Sequence, residues 1–171
     1  MEAVATARPP VDQIWAWLGE VPDPEIPAVS VVDLGIVREV RWDETGELVV
    51  TVTPTYSGCP ATELIAAEIS RAIKGRGVQR LRLDTRLAPA WTTDWITERG
   101  REKLAGYGIA PPGYKVVDAS AILRRRATEA VACPRCGSQR TSLTSRFGST
   151  PCKALYRCDD CLEPFDYFKP H

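Results

Sequence analysis

The sequence predicts an α+β chain in two parts: a compact two-layer domain over residues 1–115 and a small cysteine-rich module over 131–171, joined by a connection at 116–130. Three observations predict it. Apolar residues recur at helical spacing in some stretches and alternate in others. These stretches follow one another as helix, two strands, helix, strand, helix. Five of the six cysteines lie between residues 133 and 161.

Pro9 and Pro10 precede Val11, Ile14, Trp15 and Leu18, whose i, i+3, i+4, i+7 spacing lays an apolar stripe on a helix ending near Gly19. The three prolines of Pro22-Asp23-Pro24-Glu25-Ile26-Pro27 forbid helix and remove backbone donors, so this segment is read as an extended, fixed loop. Strands are expected over 35–42 and 47–53, joined by Asp43-Glu44-Thr45-Gly46, whose glycine can take positive φ. In the second strand Leu48, Val50 and Val52 alternate with Val49, Thr51 and Thr53, the pattern of a strand with one preferred core face. After Pro60, the spacing of Ala61, Ile65, Ile69 and Ala72 predicts a helix that stops by Gly75 to Gly77. Leu81 and Leu83 alternate with charged residues in a third strand, and a further helix is expected over 94–105. Residues 115–129, including Arg124, Arg125 and Arg126, read as a connection or an edge element.

With 44% hydrophobic residues in 171, the chain can bury one good core and carry a small appended module. Its 22 basic and 22 acidic side chains cancel, leaving no global field for nucleic acid or an acidic membrane surface. No apolar run approaches the roughly 20 residues that span a bilayer, and the first eight residues lack the layout of a secretion signal, so a cytoplasmic location is expected. The sole histidine is His171, which argues against mechanisms resting on a histidine base or a histidine-ligated catalytic metal. No catalytic residue is assigned.

Cys133-Pro134-Arg135-Cys136 and Cys158-Asp159-Asp160-Cys161 are two C-x2-C pairs separated by 21 residues. Each pair lets two thiolates converge on one ion while nearby amides donate to the sulfurs, and Gly137 suits the tight turn after the second ligand. Four thiolates from two such knuckles make the tetrahedron of a structural zinc ribbon; an iron–sulfur cluster and a redox dithiol are the rival readings. So short a tail would draw much of its folding energy from the metal. Cys152 is not needed for a site of four; it reads as a small buried hydrophobe ahead of a fifth or alternate ligand.

Cys59 stands apart. Pro60 fits the first turn of the following helix, which puts Cys59 at or next to the N-cap, where the helix dipole favours thiolate. A nucleophilic or metal-binding thiol and a buried structural one fit this placement equally. Asp23 and Glu25 could bring carboxylate oxygen to such a thiol, although loop solvation and capping account for them more simply.

Asp23-Pro24-Glu25-Ile26-Pro27, Ser30, Asp33-Leu34-Gly35-Ile36-Val37, Thr53-Pro54-Thr55, Gly58-Cys59-Pro60 and Pro89-Ala90-Trp91 together resemble the metal-sulfur cluster assembly domain family over about the first 110 residues. With the ribbon, the segment 147–156 and Glu163-Pro164-Phe165-Asp166, the whole chain resembles the accessory proteins of phenylacetate degradation that join this domain to a terminal zinc ribbon. The resemblance implies a maturation or accessory role beside the phenylacetyl-CoA ring-epoxidising complex, with its oxygenase or reductase components as partners. It also implies that Cys59 handles iron or a cluster, with Asp23 and Glu25 as secondary site candidates.

The expectation is therefore an assembly factor rather than an enzyme, with structural zinc at the tail and transiently held iron or an iron–sulfur cluster at Cys59. The alternative is a docking component of the same complex that handles no iron. Self-association is compatible with both, and neither nucleic acid nor membrane is expected as a partner.

Overall fold

The computed structural model describes residues 8–56, 58–113 and 131–170. The expected connection at 116–130, with Arg124, Arg125 and Arg126, and His171 lie outside the described residues. The chain divides into two compact units, one through Trp91 and one from Thr92.

The first unit begins with α1 (Val11–Leu18), whose Ile14 and Leu18 are buried as the stripe requires. A hairpin of β1 (Val37–Trp42) and β2 (Leu48–Val52) follows, antiparallel, with Gly46 at φ 80° in its turn. Helix α2 (Thr62–Lys74) then crosses to β3 (Leu81–Thr85), which pairs parallel to β2, giving the sheet order β1-β2-β3. Ile65, Ile69 and Ile73 form the buried face of α2. α1 packs on α2 and on β1, so the two helices form the second layer.

β2 differs from its expected pattern, since all five of its residues are buried. As the central strand it has neighbours on both edges, and none of its five residues reaches solvent.

The second unit holds a 3-10 turn (Thr93–Trp95), α3 (Glu98–Gly106), β4 (Ile109–Ala110), β5 (Thr141–Ser145), β6 (Lys153–Cys158) and β7 (Pro164–Phe168). The single helix expected over 94–105 is thus two elements. Ile96 and Thr97 are extended, and the Thr97 hydroxyl accepts from the Gly100 amide at 3.0 Å, which starts a new helix at Glu98. The sheet order is β4-β7-β6-β5, with β4 parallel to β7 and the remaining pairs antiparallel. β4 joins that sheet and packs on α3, so both belong to the second unit.

Candidate metal centre and the Cys59 loop

The knuckle at 133–136 precedes β5, and the knuckle at 158–161 occupies the turn from β6 to β7. Gly137, at φ 75°, donates its amide to the Cys133 carbonyl at 2.9 Å, closing the first turn; Leu162, at φ 64°, reverses the chain after the second. The Thr141 and Cys158 register of the antiparallel pair β5 and β6 sets the two knuckles side by side. Ser138 and Arg140, just after the first knuckle, both engage the Asp160 carboxylate of the second, and the Asp159 amide donates to the Arg140 carbonyl at 2.8 Å. This clasp across the outside of the site was not legible in the sequence, since nothing local pairs residues 20 positions apart.

The result is a tight sulfur quartet. Cys133 and Cys161 sulfurs lie 3.7 Å apart, Cys136 and Cys158 sulfurs 3.6 Å, and all four fall within 4.8 Å of one another. Four thiolates about 2.3 Å from a central ion stand about 3.8 Å apart in a tetrahedron, so the residues fit a tetrahedral four-sulfur metal site. The Cys161 amide lies 3.5 Å from the Cys158 sulfur as donor. That amide and the Asp160 amide, with the Cys136 and Cys161 thiols, overcome desolvation and lower the Cys158 thiol to about 7. At Cys161 the Glu163 amide favours thiolate, but burial and the neighbouring thiols outweigh it and push the group up to about 12. Cys136 is raised as well: the Ser138 amide is outweighed by sharing with Cys158 and by burial. A divalent cation among such sulfurs favours their thiolate form.

Cys133 and Cys158 are also part of the ribbon core, packed with Ala110, Val131, Ala154, Phe165 and Tyr167, so the ligands and the hydrophobic cluster are one structure. Cys152 does not join the quartet. It is buried, its sulfur 3.0 Å from the Thr150 hydroxyl, as a small core residue.

In the first unit, Cys59 is half-buried. Helix α2 begins at Thr62 with Ala61 as N-cap, so Cys59 lies two residues before the cap and Pro60 precedes the first turn, which corrects the expected placement at the helix start. The cause is local. The Cys59 amide donates to the Tyr56 carbonyl at 3.2 Å, and the Cys59 carbonyl accepts from the Thr62 amide at 3.2 Å and hydroxyl at 2.9 Å. These turns use the residues ahead of Thr62, leaving Cys59 beyond the turn over which a helix dipole acts.

Asp23 is buried, and its Oδ1 accepts from the Glu25 and Ile26 amides at 2.9 and 2.8 Å, closing the proline loop on itself. Ser30 and Asp33 form a reciprocal box, each side chain accepting the other's amide at 3.0 Å, and Trp91 Nε1 donates to the Leu34 carbonyl at 2.9 Å. Among the described residues only the four ribbon cysteines form a group of three or more convergent ligands; Cys59, Asp23 and Glu25 are not brought into one.

Two family models match: "Iron-sulfur cluster assembly protein" over residues 11–79 and "PaaD zinc beta ribbon domain" over 118–169. A protein of Escherichia coli (strain K12), named as a component of 1,2-phenylacetyl-CoA epoxidase, is 50% identical over 170 residues, covering 99% of each chain. An "Fe-S protein maturation auxiliary factor" of Porphyromonas gingivalis is 33% identical over 54% of this chain and 89% of its own. Among solved structures, a Bacillus anthracis Domain of Unknown Function DUF59 aligns with a TM-score of 0.51 at 27% identity, over 55% of this chain and 90% of that one. Its partial coverage agrees with the two-part architecture, and the full-length match accounts for both parts together. The chain belongs to the PaaD-type family, the proteins named for phenylacetyl-CoA epoxidase that join an iron-sulfur cluster assembly domain to a C-terminal zinc β-ribbon.

Proposed function

We propose that this protein matures the iron centres of a phenylacetyl-CoA ring-epoxidising oxygenase system, with its oxygenase or reductase component as client, and acts in the cytoplasm without catalysing the epoxidation. Cys133, Cys136, Cys158 and Cys161 hold a structural zinc. Cys59 receives iron or a cluster as cargo, with Asp23 and Glu25 shaping the neighbouring loop. The observation that supports this reading is the separation of the sulfurs: four converge within 4.8 Å of one another, while Cys59 is a half-buried thiol outside that group. Full-length similarity to a protein named for the epoxidase, and half-length similarity to one named for Fe-S maturation, support the choice of client and task.

The test is anaerobic reconstitution with iron and sulfide, comparing wild type with Cys59→Ala. Iron uptake and activation of the purified oxygenase should both fall to background in the variant, with zinc content unchanged at one per chain. Equal uptake and equal activation would remove Cys59 from the mechanism.

One observation favours a second reading, in which the protein docks within the complex and handles no iron. Asp23 Oδ1 is engaged by two loop amides, and neither Asp23 nor Glu25 joins Cys59 in a ligand group among the described residues. Co-purification with the oxygenase that is undiminished by Cys59→Ala, with no iron bound by the wild type, would select it.

A further inference from the structure

A cleft of about 530 Å³ opens in the first unit, away from Cys59, between the β1–β2 turn and the segment that leads from α2 into β3. Its walls include Arg8, Pro9, Trp42, Arg76, Val78 and Arg80 and, among the described residues, no acidic side chain. In a chain whose charges sum to zero, three guanidinium groups around one concavity are a local excess.

The three arginines differ. Arg76 is paired with Glu20, donates to the Ala72 carbonyl at 3.0 Å and lies over the Trp17 ring, so its charge is already met. Arg80 donates to the Thr45 carbonyl at 2.8 Å and to its hydroxyl at 3.2 Å, both neutral acceptors. Arg8 lies over the Trp42 ring, 5.7 Å from its centroid. Among the described residues neither Arg8 nor Arg80 meets a carboxylate.

The sequence also keeps this arrangement open. A side chain at Gly46 would collide with the Arg8 guanidinium, so the glycine required by the hairpin turn also admits Arg8 to the rim. The Trp42 indole is anchored by its Nε1 donating to the Pro9 carbonyl at 3.0 Å. The cleft therefore combines a fixed aromatic plane, apolar wall from Val78 and Pro9, and two uncompensated planar cations suited to phosphate oxygens. Its volume lies within the roughly 300–1,000 Å³ of small-molecule sites.

We propose that this cleft binds a nucleoside phosphate, its base against the Trp42 and Arg8 surface and its phosphates on Arg8 and Arg80. Two sources share that chemistry, a free nucleotide and the adenosine phosphate end of a coenzyme. Titration calorimetry of the full-length protein with ATP, coenzyme A, adenosine and tripolyphosphate separates them.

Saturable binding of ATP or of coenzyme A is expected, weakened about tenfold by Arg8→Gln. Arg8 makes no hydrogen bond to the hairpin, so this variant should leave the fold intact, and Arg71→Gln, an exposed α2 change outside the cleft, should leave affinity unaltered. Arg80→Gln should weaken binding in the same direction, with circular dichroism checking that the hairpin persists. No saturation with either nucleotide up to about 1 mM, or undiminished affinity in Arg8→Gln, would overturn the proposal. So would tripolyphosphate binding as tightly as ATP, because the aromatic wall would then contribute nothing.

Discussion

Lys153 illustrates what single residues contribute beyond the sulfur quartet. It is buried at 4% exposure in β6, and its ammonium lies 3.5 Å from Asp166 on β7, which also accepts from the Ser149 hydroxyl at 3.0 Å. Gly148 allows the loop to close over this pair, since a Cβ there would stand 2.6 Å from Asp166 Oδ1 and 3.2 Å from Lys153 Cβ. Removing one partner strands the other charge, whereas replacing both by apolar chains of similar volume does not. Asp166→Ala is therefore expected to lower ribbon stability by about 3 kcal/mol and the double replacement Lys153→Met with Asp166→Leu by less than about 1 kcal/mol, as read by thermal unfolding of the zinc-loaded protein. The two sulfur pairs of the quartet were legible at this scale because C-x2-C spacing brings two sulfurs together through local geometry alone. The loop bonds of Asp23 were not, because a carboxylate in a proline loop can serve a metal or the loop's own amides, and the Glu25 and Ile26 amides that its Oδ1 accepts from are positioned by the fold.

Among the elements, α1, α2 and the hairpin follow from apolar spacing and one turn glycine, and their described bounds lie close to those the spacing predicts. The stretch after Trp91 did not follow, because one side chain, Thr97, ends the 3-10 turn's exit and starts α3 by capping Gly100. Thr97→Ala is expected to cost about 1 kcal/mol and to raise amide exchange in the first turn of α3, while amides of α2 keep their protection. Arg101, buried within α3, donates to the Thr93 carbonyl at 2.8 Å and to the Pro112 carbonyl, tying the 3-10 turn and the segment after β4 to this helix. The same short-range logic moved the start of α2: two turns closed by Cys59 place the helix at Thr62, and proline at position 60 does not by itself start one.

For the whole molecule, the ribbon's core and its sulfur quartet share Cys133 and Cys158, so metal and packing stand or fall together in the second unit. Structural zinc in modules of this size contributes on the order of 10 kcal/mol to folding. Chelation is expected to release one zinc per chain and abolish exchange protection in β5 to β7 while the β1 to β3 sheet keeps its own; protection surviving in β5 to β7 would separate metal from fold. No helix among the described residues is long and apolar enough to cross a membrane. By itself the sequence determined the class of the fold, the four-sulfur set and the order of the main elements, because each depends on residues a few positions apart. Tertiary structure alone decided that β2 is buried on both faces, that β4 pairs with β7 and brings α3 into the second unit, that Asp160 clasps the segment after the first knuckle, and that two arginines face a cleft with no counter-charge among the described residues. The reason is physical: a local pattern specifies which way a side chain points along its own element, but what it meets there is set by partners distant in sequence.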